Sequence, residues 1–254
     1  MKYYILFLLS CTFIFSCSSK KNILYLQSDK DFIESEFTYE NYKIKTDDIL
    51  KIEVGTQTIE TSLTFNSEGK IENNNGNKDS ELLDGYQVDN DGFINFPVLG
   101  KVFVFGKTKE EVRDDIYEKI IDAEFLTDPH IDVKIINMYF TVVGEVKNPG
   151  RYDFLNNNFN IFDAIGMAGD LTINGVRENI KIIRHVENKK IIIDIDLTQK
   201  NILNNKNFQI FSGDIIVVNP NYNRVKNAGI IGNSGTLLSL LSFVLSSIIL
   251  ITNR

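Results

Sequence analysis

The hydrophobic positions of this chain repeat first with a period of two. Leu50, Ile52 and Val54 alternate with Lys51 and Glu53, the signature of a half-buried strand. Val88 to Phe96 alternates again around Asn90-Asp91-Gly92, and Ile131, Val133 and Ile135 alternate with Asp132 and Lys134. A second series follows. Tyr139 to Val146 and Tyr152 to Leu155 flank Asn148-Pro149-Gly150-Arg151, which reads as a type II turn because Pro presets φ and Gly accepts φ > 0. Ile180 to Val186 and Lys190 to Leu197 flank Glu187-Asn188-Lys189 as a hairpin, and Ile215 to Val218 supplies a last strand. Period 3.6 interrupts twice. After Thr108, an N-cap completed as a capping box by Glu111, the residues Val112, Ile116 and Ile120 share one helical face. Ile161, Ala164, Ile165 and Ala168 mark a shorter helix that stops at Gly169. The polar run from Asn66 to Leu82 reads as a loop. The pattern predicts two α+β units, residues 39–138 and 139–220, the second in the order strand–strand–helix–strand–strand–strand.

Both ends depart from this alternation. Lys2 precedes an apolar run from Tyr3 to Phe15, of signal-peptide length. Ile14-Phe15-Ser16-Cys17 resembles a bacterial lipobox, which makes residues 1–16 a signal peptide, Cys17 the lipidation site and residues 17–38 an acylated start and polar tether. Leu9-Ser10-Cys11 is the alternative. At the other end residues 228–252 read as a transmembrane helix. From Gly235 to Thr252 no residue is charged, and eighteen residues at about 1.5 Å each give roughly 27 Å, close to one hydrocarbon core. Gly235, Ser239, Ser242 and Ser246 fall on one face, with Leu237, Leu241, Val244 and Ile248 towards the other. Such a small, polar stripe suits a water-filled lumen and suits close helix packing equally well; the alternative is a single-pass anchor whose serines satisfy their own backbone.

Composition narrows the function classes. The chain has 254 residues, is 43% hydrophobic and 24% charged, and carries a formal charge of −7, with no basic cluster to serve a nucleic acid. Cys11 and Cys17 both precede the folded part, so no structural disulfide is expected there. His130 and His185 lie far apart in sequence and in no metal-ligand spacing. No cofactor is called for. The carboxylate pairs Asp47-Asp48, Glu110-Glu111 and Asp114-Asp115 are sequence neighbours, whose side chains diverge on a strand or helix. A hydrolase finds little support: G-x-S-x-G, H-E-x-x-H and the P-loop are absent, as is Trp for sugar stacking. Arg151 and Tyr152, just past the turn, are the candidate subunit contact, since exposed Arg and Tyr are favoured at interfaces; the equal alternative is that Tyr152 packs in the β-grasp core.

Three separated segments carry a resemblance. They are Asp91-Gly92-Phe93-Ile94-Asn95-Phe96-Pro97 with Val104-Phe105-Gly106-Lys107-Thr108, then Thr141-Val142-Val143-Gly144-Glu145-Val146-Lys147-Asn148-Pro149-Gly150-Arg151-Tyr152, then Gly213-Asp214-Ile215-Ile216. Together they resemble the outer-membrane polysaccharide export lipoproteins, the Wza-like family, in which an export domain precedes SLBB β-grasp modules. Tyr42, Ile44, Asp48, Leu50 and Ile52 match the family's domain opening. Ser212 stands where that family usually has Pro before Gly-Asp. The resemblance implies an α+β fold, a β-rich export domain followed by one β-grasp (SLBB) domain and a C-terminal transmembrane helix. It implies a non-enzymatic conduit for capsular or exopolysaccharide, a homo-oligomeric ring in the outer membrane with its folded domains in the periplasm. It also implies an inner-membrane polysaccharide co-polymerase as partner, often with a cytoplasmic tyrosine kinase part. The alternative is a membrane-tethered carbohydrate-binding or scaffolding lipoprotein without a pore.

Overall fold

The computed structural model describes residues 23–27, 38–55, 85–156, 158–186, 189–221 and 234–252. Cys11, Cys17, the loop expected at 66–82, the expected hairpin residues 187 and 188, and the run 228–233 lie outside the described residues.

The first unit is built where alternation said it would be. Strand β1 (Ile49–Gly55) pairs antiparallel with β2 (Tyr86–Gln87) on one side and with β5 (His130–Ile135) on the other. The register sets Leu50 opposite Ile135, Ile52 opposite Val133 and Val54 opposite Ile131, and all six side chains are buried. Helix α1 (Lys109–Asp122) covers them with Val112, Ile116 and Ile120, each fully buried. Removing such a side chain from water is worth about 1.5–3 kcal/mol. Thr108 accepts from the Glu111 amide, and the Glu111 carboxylate accepts from the Thr108 amide at 2.7 Å, closing the expected capping box. Strands β3 (Phe93–Phe96) and β4 (Gly100–Phe103) form a separate two-stranded hairpin.

The second unit has a five-stranded sheet in the order β7-β6-β10-β8-β9: β6 (Tyr139–Gly144), β7 (Gly150–Asp153), β8 (Gly175–Val186), β9 (Lys189–Ile195) and β10 (Ile215–Pro220). The central pair, β6 and β10, is parallel; its other pairings are antiparallel. Helix α2 (Ile161–Met167) buries Ile161, Ala164 and Ile165 in the same core as Phe140, Val142 and Ile216. Asn160 caps it, and Asp163 returns the bond to the Asn160 amide at 3.0 Å. The predicted element order holds, but the type II turn does not. Gly150 has no positive φ; it is the first residue of β7, paired with Val142. The positive φ falls six residues earlier, on Gly144 at +98°.

The C-terminal helix α3 spans Ser234–Thr252. Ser239, Ser242, Ser246 and Ser247 interrupt its apolar sequence, and the expected stretch 228–233 lies outside the described residues. Among the described residues no helix is long and apolar enough to cross a membrane, and the transmembrane helix expected at 228–252 finds no support there.

Candidate functional site

Two polar hubs and one strap position the second unit. Each grows from a residue whose neighbours in sequence give little warning of it. In the first hub, the chain turns at Phe211-Ser212-Gly213 so that Asp214 enters the core with 1% exposure. Arg184 on β8 meets it with Nε at 2.9 Å and Nη2 at 2.7 Å, and spends its remaining reach on the Gln209 carbonyl at 2.8 Å. The guanidinium also lies over the Phe211 ring, 4.4 Å from its centroid. Asp214 accepts the Phe211 amide as well. The Gly-Asp pair is therefore a structural device: a carboxylate that fixes β8 to the start of β10.

The second hub joins the two units. Gln209, 2% exposed, donates through Nε2 to the Glu40 carbonyl at 2.9 Å and accepts from the Glu40 amide at 2.8 Å. Two residues on, Tyr42 donates its hydroxyl to the Asp48 carboxylate at 3.0 Å, and the Lys45 amide donates to the same carboxylate at 2.7 Å. Burial raises the Asp48 carboxyl above its usual value, although the Lys45 amide and the Tyr42 hydroxyl pull it down. Burial, then the Asp48 charge, push the Tyr42 phenol up. The sign for stability follows from the raised value. The folded state binds the Asp48 proton more tightly than the unfolded chain, whose value is about 3.9. That contribution is fully present below the unfolded value and is lost as pH rises through the folded one. Asp48→Asn keeps an acceptor for both donors, so it should flatten the fall in thermal stability as pH rises above the unfolded value of about 3.9. Melting curves at four pH values check this; an unchanged slope would remove Asp48 as its source.

The strap is the segment 23–27. Leu26 and Gln27 donate their amides to the Leu197 and Thr198 carbonyls at 3.0 and 2.8 Å. Tyr25 sets its ring edge-on to Phe162 and donates its hydroxyl to Asp170. Burial, then the Asp170 hydrogen bond, push that phenol up to about 12. Arg177, 5% exposed, stands over the Tyr25 ring at 5.0 Å and donates to the Gly175 carbonyl at 3.0 Å. The polar tether expected over 17–38 thus includes a docked stretch, and the unit it docks on is the second one.

Of the residues singled out in the sequence, Arg151 and Tyr152 are neighbours on β7 and point to opposite faces. Tyr152 stacks on the buried Phe140 ring with 5.5 Å between centroids and donates its hydroxyl to the Asn148 carbonyl. Arg151 is exposed and lies 3.6 Å over the Tyr139 ring. Gly235, Ser239, Ser242 and Ser246 are all exposed on α3. Ser242 donates to the Ser239 carbonyl at 2.9 Å and Ser246 to the Ser242 carbonyl at 2.8 Å, so these hydroxyl protons satisfy their own helix while the oxygens stay outward. Leu238, Leu240, Leu241, Phe243, Leu245 and Leu250 are exposed on the same helix. Cys17 lies outside the described residues. Among the described residues no group of three His, Cys, Asp or Glu side chains could hold a metal. Sequence reasoning missed Tyr25, Arg177 and Arg184. The one signal for Arg184 was a charge set inside the apolar run Ile180 to Val186.

The scaffold defined by these hubs is that of a two-unit α+β protein whose polar groups organise folding and interfaces. Residues 38–136 match the polysaccharide biosynthesis/export protein family, and residues 139–194 match the SLBB domain. The chain belongs to the Wza-like polysaccharide export family. It is 28% identical over 191 residues to the EPS I polysaccharide export outer membrane protein EpsA of Ralstonia solanacearum, covering 70% of this chain and 48% of that one. It is 30% identical over 189 residues to the protein of the same description from Ralstonia nicotianae, covering 70% of this chain and 47% of that one. The chain spans about half the length of the curated relatives it matches.

Proposed function

We propose that this chain is a subunit of an outer-membrane conduit through which a capsular or exopolysaccharide leaves the cell, with no catalytic step of its own. The observation that carries the reading is the succession of an export domain and an SLBB domain over residues 38–194, in a chain similar to two polysaccharide export outer membrane proteins. The subunits form a ring closed by heterologous contacts. Arg151, on the outer face of the sheet, is the better placed half of the candidate contact. The inner-membrane partner is a polysaccharide co-polymerase. Cys17 carries the lipid. It stands eight residues before Tyr25, a reach of at most about 29 Å of extended chain, so the lipid would hold the second domain, where the strap docks, near the membrane. In a ring, α3 enters the outer membrane only side by side with its copies. The exposed Ser oxygens then face either the lumen or the neighbouring helix, and the exposed leucines and Phe243 meet lipid. Labelled palmitate should label the wild-type chain and not Cys17→Ser; label that persists moves the anchor to Cys11.

A second reading keeps a specific observation in its favour. Since no described helix is long and apolar enough to cross a membrane, the chain could act as a tethered carbohydrate-binding scaffold without a pore. Mass measurement of the detergent-extracted protein separates the two. A closed ring of many copies is expected, and a monomer would reject the conduit in favour of the scaffold.

A further inference from the structure

In the first unit, the β3–β4 hairpin and the exposed side of α1 enclose an open cavity of about 410 Å³ that none of the structural hubs uses. Its floor is aromatic. Phe93 and Phe103 face each other across the hairpin, 5.2 Å between centroids and inclined by 68°. Phe103 keeps 43% of its surface exposed. The rim is polar and mixed. Lys101 Nζ lies 5.9 Å from the Phe93 centroid, and Lys107 Nζ lies 5.9 Å from that of Phe103. From α1 come Asp115, Glu118, Lys119 and Asp122. Lys107 is already committed to Asp115. That leaves Lys101 and Lys119 against Glu118 and Asp122, two charges of each sign.

This chemistry selects a ligand. An anion would meet two carboxylates at the rim and a chain of net charge −7 behind them. A purely apolar segment would strand four charged groups at its edge. A pyranose suits both parts. One face of the ring is a patch of C–H groups that stacks on an aromatic ring. Its hydroxyls are donors and acceptors at once, so ammonium and carboxylate groups can both pair with them in charge-assisted hydrogen bonds. The volume lies within the range of small-ligand sites. We propose that this cavity is a saccharide subsite, taking a neutral pyranose unit of a polysaccharide on the Phe93–Phe103 rings with its hydroxyls on Lys101, Glu118, Lys119 and Asp122. The inference rests on the export reading and names where, in the first domain, the passing polymer touches the wall. An open, shallow site of this kind gives weak binding, which a conduit needs, since a polymer held tightly at one wall position does not advance.

The test uses the full chain in detergent and three probes: maltoheptaose and cellohexaose as neutral oligosaccharides, and a polygalacturonate oligomer as the anionic one. Binding is followed by calorimetry and by chemical-shift changes of the phenylalanine rings. Both neutral probes should bind, with shifts at Phe93 and Phe103, and more tightly than the anionic one. Phe103→Ala should weaken them about tenfold, the equivalent of about 1.4 kcal/mol, at an unchanged melting temperature. Glu118→Gln, on the exposed side of α1, should weaken them with no effect on folding. Phe125→Ala, an exposed ring outside the cavity, should leave binding as it was. Equal binding by Phe103→Ala and wild type, preference for the anionic probe, or no binding at all would each overturn the subsite. The export reading is scored separately, by complementation of a producing strain that lacks its own copy of the chain. Wild type that restores export without binding any probe rejects the subsite alone. Wild type that binds the neutral probes but restores nothing rejects the export reading alone.

Discussion

Asp214→Ala should cost the second domain about 3–5 kcal/mol, the range for removing one partner of a buried ion pair. The argument starts from what remains. Arg184 has 12% of its side chain exposed and Asp214 has 1%. Without the carboxylate, the guanidinium retains only the Gln209 carbonyl and the Phe211 ring, and the Phe211 amide loses its acceptor. An unpaired charge and an unpaired amide are then both held away from water. Asp214→Asn separates charge from shape. It keeps an acceptor for the amide and should cost less than Ala. Arg184→Met should be costly by the same logic, because it strands the carboxylate. The double variant Arg184→Met with Asp214→Asn should then be milder than the sum of the singles, since neither charge is left alone. Urea unfolding of the four proteins checks this. Additive costs would mean that the two side chains do not act as a pair, and a cost under about 1 kcal/mol for Asp214→Ala would place them in the class of surface pairs.

The ease with which parts of this fold were read tracks how local their physics is. The alternation Leu50-Ile52-Val54, its counterpart Ile131-Val133-Ile135 and the helical face Val112-Ile116-Ile120 are fixed by the period of the backbone, and all nine side chains are buried. The Thr108–Glu111 capping box closes within four residues and was equally visible. The Asn160–Asp163 box is as local, closing within four residues. Distance in sequence is what hid the rest. Arg184 and Asp214 are 30 residues apart, and Tyr25 and Asp170 are 145 apart. No periodicity links such pairs. The Pro149-Gly150 turn shows the opposite failure. A glycine is permitted a positive φ without being obliged to use it, and Gly150 instead begins β7 opposite Val142. For the candidate sites, the helix α3 and its serines were legible as a stripe, while the cavity on Phe93 and Phe103 was not. Its two rings come from strands that had to be paired first, and its acids come from the side of α1 that reads as ordinary solvated surface.

Gly144→Ala should be the most damaging alanine substitution among the described glycines, with a loss of about 4 kcal/mol or more, the size that a named mechanism such as a steric clash produces. Gly144 ends β6 at φ +98°, a conformation that L side chains rarely adopt, and that alone is worth about 1–3 kcal/mol when a non-glycine is forced into it. Space is the larger part. A Cβ at this position would lie 2.0 Å from the Val218 carbonyl oxygen and 2.9 Å from its carbon. Those are backbone atoms of β10, which cannot step aside as a flexible side chain would. The same oxygen accepts the Glu145 amide at 2.9 Å, so pushing it away also breaks the bond that continues the parallel pairing. β6 and β10 are the middle of the five-stranded sheet, and a gap there separates β7 and β6 from β8 and β9. The control is Gly166→Ala, the same substitution inside α2, where an added Cβ meets nothing within 4 Å. It should be neutral or gain up to about 1 kcal/mol from helix propensity. Denaturant unfolding of both variants checks the contrast. If Gly144→Ala unfolds within 1 kcal/mol of wild type, the close approach of the two central strands is wrong, and with it the register that sets Gly144 beside Val218.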